Sequence, residues 1–81
     1  MIEIIGIEIT YDSGIEHHRF IVCDDEHPKH IDIVNHILPA KLSKNEAIKH
    51  IASVKGIPKQ KIRLRSDIEH TINIWKGRRN A

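Results

Sequence analysis

Cysteine occurs once in this chain of 81 residues, at Cys23, so no disulfide can close within it. A lone thiol suits a reducing compartment, and a cytoplasmic protein is expected. Phe, Tyr and Trp are equally scarce at one copy each, which leaves the 17 isoleucines to supply the core. No apolar run approaches the roughly 18 residues of a membrane-spanning helix. The first residues alternate and carry Glu3 and Glu8, so no signal peptide is expected. Internal repeats and low-complexity blocks are missing. So are a phosphate loop, a Cys-x₂-Cys pair, a helical His-x₃-His pair and a Gly-x-Ser-x-Gly turn. We therefore expect no catalytic residues, no cofactor and no metal.

The length bounds the rest. A chain of this size forms one small domain, residues 1–81, and buries only about 60–65% of its unfolded surface. Net charge is +2, but residues 1–40 hold two basic and eight acidic side chains, against eleven and three in residues 41–81. Such asymmetry means either an acidic and a basic face, or neighbouring elements whose charges offset.

The clearest local signal lies in residues 43–55. Ser43 with Glu46 three residues on has the spacing of a capping box, and Leu42 can staple onto Ala47. Ile48, Ile51, Ala52 and Lys55 follow on one stripe, and Gly56 with Pro58 ends the helix. Before it, residues 1–11 read as a strand with Ile5, Ile7, Ile9 and Tyr11 on one face and Ile2, Ile4, Gly6, Glu8 and Thr10 on the other. Asp12-Ser13-Gly14 supplies a turn with Gly14 at positive φ, and residues 15–23 return as the second strand. Pro28, Ile31, Val34, Ile37, Leu38 and Pro39 predict a short helix over residues 28–38. Residues 62–65 alternate apolar and basic as a strand does. Residues 66–75 fit two periods: a capping box at Ser66 to Glu69 with an Ile68, Ile72, Trp75 stripe, or a strand through Thr71-Ile72-Asn73-Ile74-Trp75, the reading favoured here. Residues 76–81 read as a frayed tail. The expected fold is α+β: an N-terminal β-hairpin, two helices and two further strands in one sheet.

Gly56-Ile57-Pro58 followed by Arg63-Leu64 resembles the helix exit and third strand of the ubiquitin-like β-grasp family, and Glu69, Thr71-Ile72 and Asn73-Ile74 are similar to its final strand. The resemblance implies a β-grasp-like fold. Residues 24–42 have no counterpart in it, and the link from Arg65 to His70 is too short for the family's fourth strand. The terminus Arg79-Asn80-Ala81 lacks the di-glycine needed for conjugation, and the patch read by ubiquitin receptors falls on Arg65, Asn73 and Trp75. The resemblance implies the fold without the conjugation chemistry.

Seven histidines invite a metal reading, with His17, His18, His27 and His30 near Asp24, Asp25 and Glu26. Adjacent His17 and His18 point to opposite faces of a strand, so solvated surface histidines are the simpler assignment. Cys23 sits beside three carboxylates, which suppress a thiolate. The basic set is sharper. Lys59, Lys61, Arg63 and Arg65 alternate, Lys76, Arg78 and Arg79 follow, and Trp75 is available to stack on a base. The same pattern also serves as a charged, soluble strand face. We expect a non-enzymatic protein-binding or regulatory module whose partner is another protein, with self-association and a strand edge as routes. The alternative is DNA or RNA binding through the basic half; no membrane role is expected.

Overall fold

A computed structural model describes residues 1–36 and 42–79. The elements are β1 (Ile2–Asp12), β2 (Ile15–Asp24), β3 (His27–His36), α1 (Lys44–Lys55), a 3₁₀ turn (Lys59–Lys61), β4 (Ile62–Leu64) and α2 (Ser66–Arg79). The four strands make one mixed sheet in the order β3-β2-β1-β4, in which β1–β2 and β2–β3 are antiparallel and β4 runs parallel to β1. The fold is α+β, as the sequence implies, and starts with the expected hairpin.

Ser13 and Gly14 form the hairpin loop with φ of 53° and 80°. Two successive positive φ values match the twist of the flanking strands, but a serine there is strained. Replacing Ser13→Asn is expected to raise stability by about 0.5–1 kcal/mol, read by thermal or denaturant melting. A bulge between Ile4 and Gly6 then explains why β1 is apolar on both faces at its start. Ile2 and Ile4 point to the helices before it, and Ile7 and Ile9 do so after it.

α1 forms as its caps dictate. Ser43 Oγ accepts from the Glu46 N–H at 3.1 Å, and Gly56 closes the helix at φ 66°. Ala47, Ile51 and Ala52 are buried with Leu42, while Ile48 packs at the margin. Ser43→Ala is expected to cost about 1 kcal/mol, checked by urea unfolding.

Two elements exchange identity relative to the sequence expectation. Residues predicted as a helix over 28–38 form strand β3; Ile37, Leu38 and Pro39 lie outside the described residues. Ile31 and Val34 satisfy a helical spacing, but Ile31, Ile33 and Val34 are also β-branched strand formers, and β2 offers them a complete ladder from His18 to Cys23. Residues 66–75, favoured as a strand and likened to the final ubiquitin strand, instead form α2, which continues through the expected frayed residues 76–79. The Arg65 carbonyl accepts from Ile68 and Glu69 N–H at 3.0 and 3.1 Å, and the Thr71 hydroxyl donates back to the Asp67 carbonyl at 2.9 Å. Helical spacing carries Ile68 and Ile72 together into the core, with Trp75 against its margin. A strand would have split Ile68 and Ile72 from Trp75.

The core lies between the sheet and the two helices: Ile4, Phe20, Val22, Val34 and Ile62 from the strands meet Leu42, Ile51, Ile68 and Ile72. Among the described residues, no element covers the other face of the sheet.

Candidate functional site

The basic residues do not form one ribbon. Lys59 and Lys61 stand exposed on the 3₁₀ turn, Arg63 lies on β4, and Arg65 follows it at the start of α2. The parallel register places Arg63 beside Glu3, and its Nε donates to Glu3 at 2.9 Å while Nη2 stands 3.8 Å from Asp25. Arg65 makes two hydrogen bonds to Asp67 at 2.6 and 2.8 Å, which hold the Asp67 carboxyl below its usual range. Asp25 also takes the N-terminal ammonium at 2.9 Å. The acidic first half and the basic second half therefore meet at the β1–β4 seam. Trp75 is half-buried, its indole N–H donating to Glu16 at 3.2 Å and its ring 5.8 Å from Tyr11. It packs at the margin of the core and does not stand free as a stacking platform. Lys76 is exposed on α2; the side chains of Arg78 and Arg79 lie outside the described residues.

The bare sheet face and its β3 edge are built differently. Ile21 crosses over Gly6, where an added Cβ would meet Ile21 Cδ1 at 2.9 Å. Ile21 and Cys23 pair with Ile33 and Ile31 of β3 on this face. Ile31 is 57% and Ile33 61% exposed. All of residues 27–33 are exposed, those facing the helices included, so among the described residues this half of β3 is open on both faces and along one edge. Asp32 is ion-paired to Lys55 of α1, which holds its carboxyl below the usual range. Further along the face, Arg19 reaches Glu8 at 3.7 Å and Asn35 at 3.4 Å, so the polar depression there already has matched charges.

At the far end, on the helix side, a polar chain is buried that sequence reading did not find. His18 is 2% and His36 6% exposed, and their Nδ1 atoms are 3.0 Å apart. The ring planes are tilted 13° from each other, and their centroid separation of 5.2 Å exceeds the nitrogen separation by about two ring radii. The nitrogens thus point at each other along a linear N–H···N hydrogen bond. Lone pairs so aimed do not converge on a common third point, as metal ligands must. Among the described residues no group of three His, Cys, Asp or Glu side chains is placed to hold a metal ion. His18 Nε2 lies 2.5 Å from Glu16 Oε1. The tautomers that satisfy both contacts have His18 donating to Glu16 and His36 donating to His18. His50 of α1 packs edge-on to His36 at 4.5 Å and donates from Nε2 to the Asn35 carbonyl at 2.8 Å. The signal was present: His18 shares the period-two phase of Phe20 and Val22, so burial of one implies burial of all. His27 and His30, by contrast, are exposed neighbours 5.8 Å apart.

Comparison with family models, curated proteins and solved structures finds no match to the chain. What stands is a small α+β domain with a four-stranded mixed sheet. Among the described residues no helix is long and apolar enough to cross a membrane.

Proposed function

We propose that the protein is a small, non-enzymatic, cytoplasmic module that binds another protein through the open edge and outer face of β3. One observation carries this reading: Ile31 and Ile33, two large apolar side chains, stand exposed side by side on an edge strand. Edge strands with apolar side chains accept further strands, and natural monomers blunt them with charge or cover. The β-grasp likeness belongs to the same proposal. It is supported by α1 leading from the hairpin sheet into a strand at Ile62–Leu64, where Gly56-Ile57-Pro58 and Arg63-Leu64 imply one.

The test compares the chain with its Ile31→Lys/Ile33→Lys variant as baits against extract of the source cells. The wild-type chain is expected to retain a defined protein at least about tenfold better than the variant. Equal retention by both, or none by either, would remove the reading.

Nucleic-acid binding is the second reading, supported by exposed Lys59, Lys61 and Lys76, for which the described residues show no ion pair. With Arg63 and Arg65 already paired to carboxylates, we expect no DNA or RNA binding tighter than about 10⁻⁴ M at low salt. A gel shift that is tighter, and weakens steeply with salt, would promote it.

A further inference from the structure

We infer that the strand received by this edge is β3 of a second copy, antiparallel, about a twofold axis at Asp32. The inference rests on the docking reading above and names its partner. Closing the hairpin with Ser13-Gly14 makes Asp12 and Ile15 a hydrogen-bonded pair, after which bonding direction alternates along β2. His18, Phe20 and Val22 then turn their backbone groups to β3, where their partners are His36, Val34 and Asp32. Ile31, Ile33 and Asn35 must direct theirs outward. Two observed bonds agree with this phase. The Asn35 carbonyl is met from outside the ladder by His50, and the Ile4 carbonyl, which the same count turns away from β2, is met by the Arg65 N–H at 3.1 Å.

Because His50 occupies the Asn35 acceptor, the ladder positions left open among the described residues are Ile31 and Ile33. Toward Lys29 the regular pairing has already slipped, since β2 steps from Cys23↔Ile31 to Asp24↔His27. An incoming antiparallel strand that meets both open positions in one step sets Ile31 opposite Ile33 of the second copy, and Ile33 opposite its Ile31. The axis then passes through Asp32. The segment suits this because Ile31-Asp32-Ile33 reads the same in both directions, as an isologous contact requires. On the outer face four isoleucines join into one stripe. On the helix side two Asp32 carboxylates meet, which alone would repel. Each brings its own Lys55 ammonium, so carboxylates and ammonium groups gather in equal number with no net charge.

The experiment uses the full chain. Sedimentation from micromolar to millimolar concentration is expected to show a monomer–dimer equilibrium. In a Cys23→Ser background, Asp32→Cys should form an interchain disulfide in glutathione buffer, because directly opposed non-hydrogen-bonded residues have Cα atoms about 4.5 Å apart. Lys29→Cys should not, being about 20 Å from its counterpart in this register. Asp32→Lys, an exposed change that sets like charges together, and Ile33→Pro, which removes an outward N–H alone, should each weaken association by at least roughly 100-fold. A chain monomeric at millimolar concentration, Lys29→Cys linking as readily as Asp32→Cys, or Asp32→Lys associating undiminished would overturn the inference. If the chain stays monomeric but the bait still retains a different protein through Ile31 and Ile33, docking stands and self-pairing falls; if it retains nothing, both fall.

Discussion

Phe20→Ala is expected to lower stability by about 3–5 kcal/mol, the largest effect of any single core truncation here. Phe20 is the chain's one phenylalanine and is 1% exposed at the middle of β2. Its ring lies 6.1 Å from His18 and 6.5 Å from His50, so it is both core and the wall of the buried polar chain. Removing it opens a cavity and admits water to groups whose hydrogen bonds depend on dryness. Small domains hold only about 5–15 kcal/mol in total, so much of the variant should be unfolded at 37 °C. Phe20→Leu, which keeps most of the volume, should cost under about 1.5 kcal/mol. Denaturant unfolding of the two variants checks both figures; equal losses would mean the site is not packed as described.

Acidification through pH 6.5 is expected to destabilise the fold, and His36→Leu should remove most of that dependence. Burial holds His36 below the ordinary imidazole value of 6.5, with His50 and His18 adding to the effect and Glu46 opposing it. Glu16 faces the same chain through His18. A base whose folded value is depressed is protonated more readily in the unfolded chain. Stability is therefore full above 6.5, declines as pH falls through that value, and levels off below the folded value. The surface carboxylates Asp25, Asp32 and Asp67 are also held low, by the N-terminal ammonium, Lys55 and Arg65 respectively, and they lose their contribution as pH falls below 3.8. Melting temperature measured from pH 8 to pH 4 should show the first decline in the wild type and a flatter curve in His36→Leu. An unchanged curve in the variant would place the acid sensitivity elsewhere.

The parts of the fold legible in the sequence are those written in local chemistry. Ser43, Glu46, Gly56 and Pro58 mark α1 at both ends, and Ser13-Gly14 marks the hairpin, because caps and positive-φ positions act within a few residues. The bulge after Ile4 is not visible locally, yet it alone sorts the isoleucines of β1. The elements that changed identity are those in which two periods coexist. Ile31 and Val34 are compatible with a helix or with opposite faces of a strand, and β2 decides the matter from the far side of a loop. Ile68, Ile72 and Trp75 lose their ambiguity only when the core needs one more apolar stripe. The charge asymmetry was legible as a pattern, but its outcome at Glu3 and Arg63 depends on β1 and β4 being parallel neighbours 60 residues apart. Glu16, His18, His36 and His50 come from three elements, and tertiary packing alone brings them together.

The central claim, that Ile31 and Ile33 turn free backbone groups outward from an edge strand, is tested most directly by amide hydrogen exchange along β3 in dilute solution. Alternation is expected: fast exchange at Ile31 and Ile33, slow exchange at Asp32 and Val34, and protection of the fast pair as concentration rises. Uniform protection through residues 31–34 in dilute monomer would contradict it.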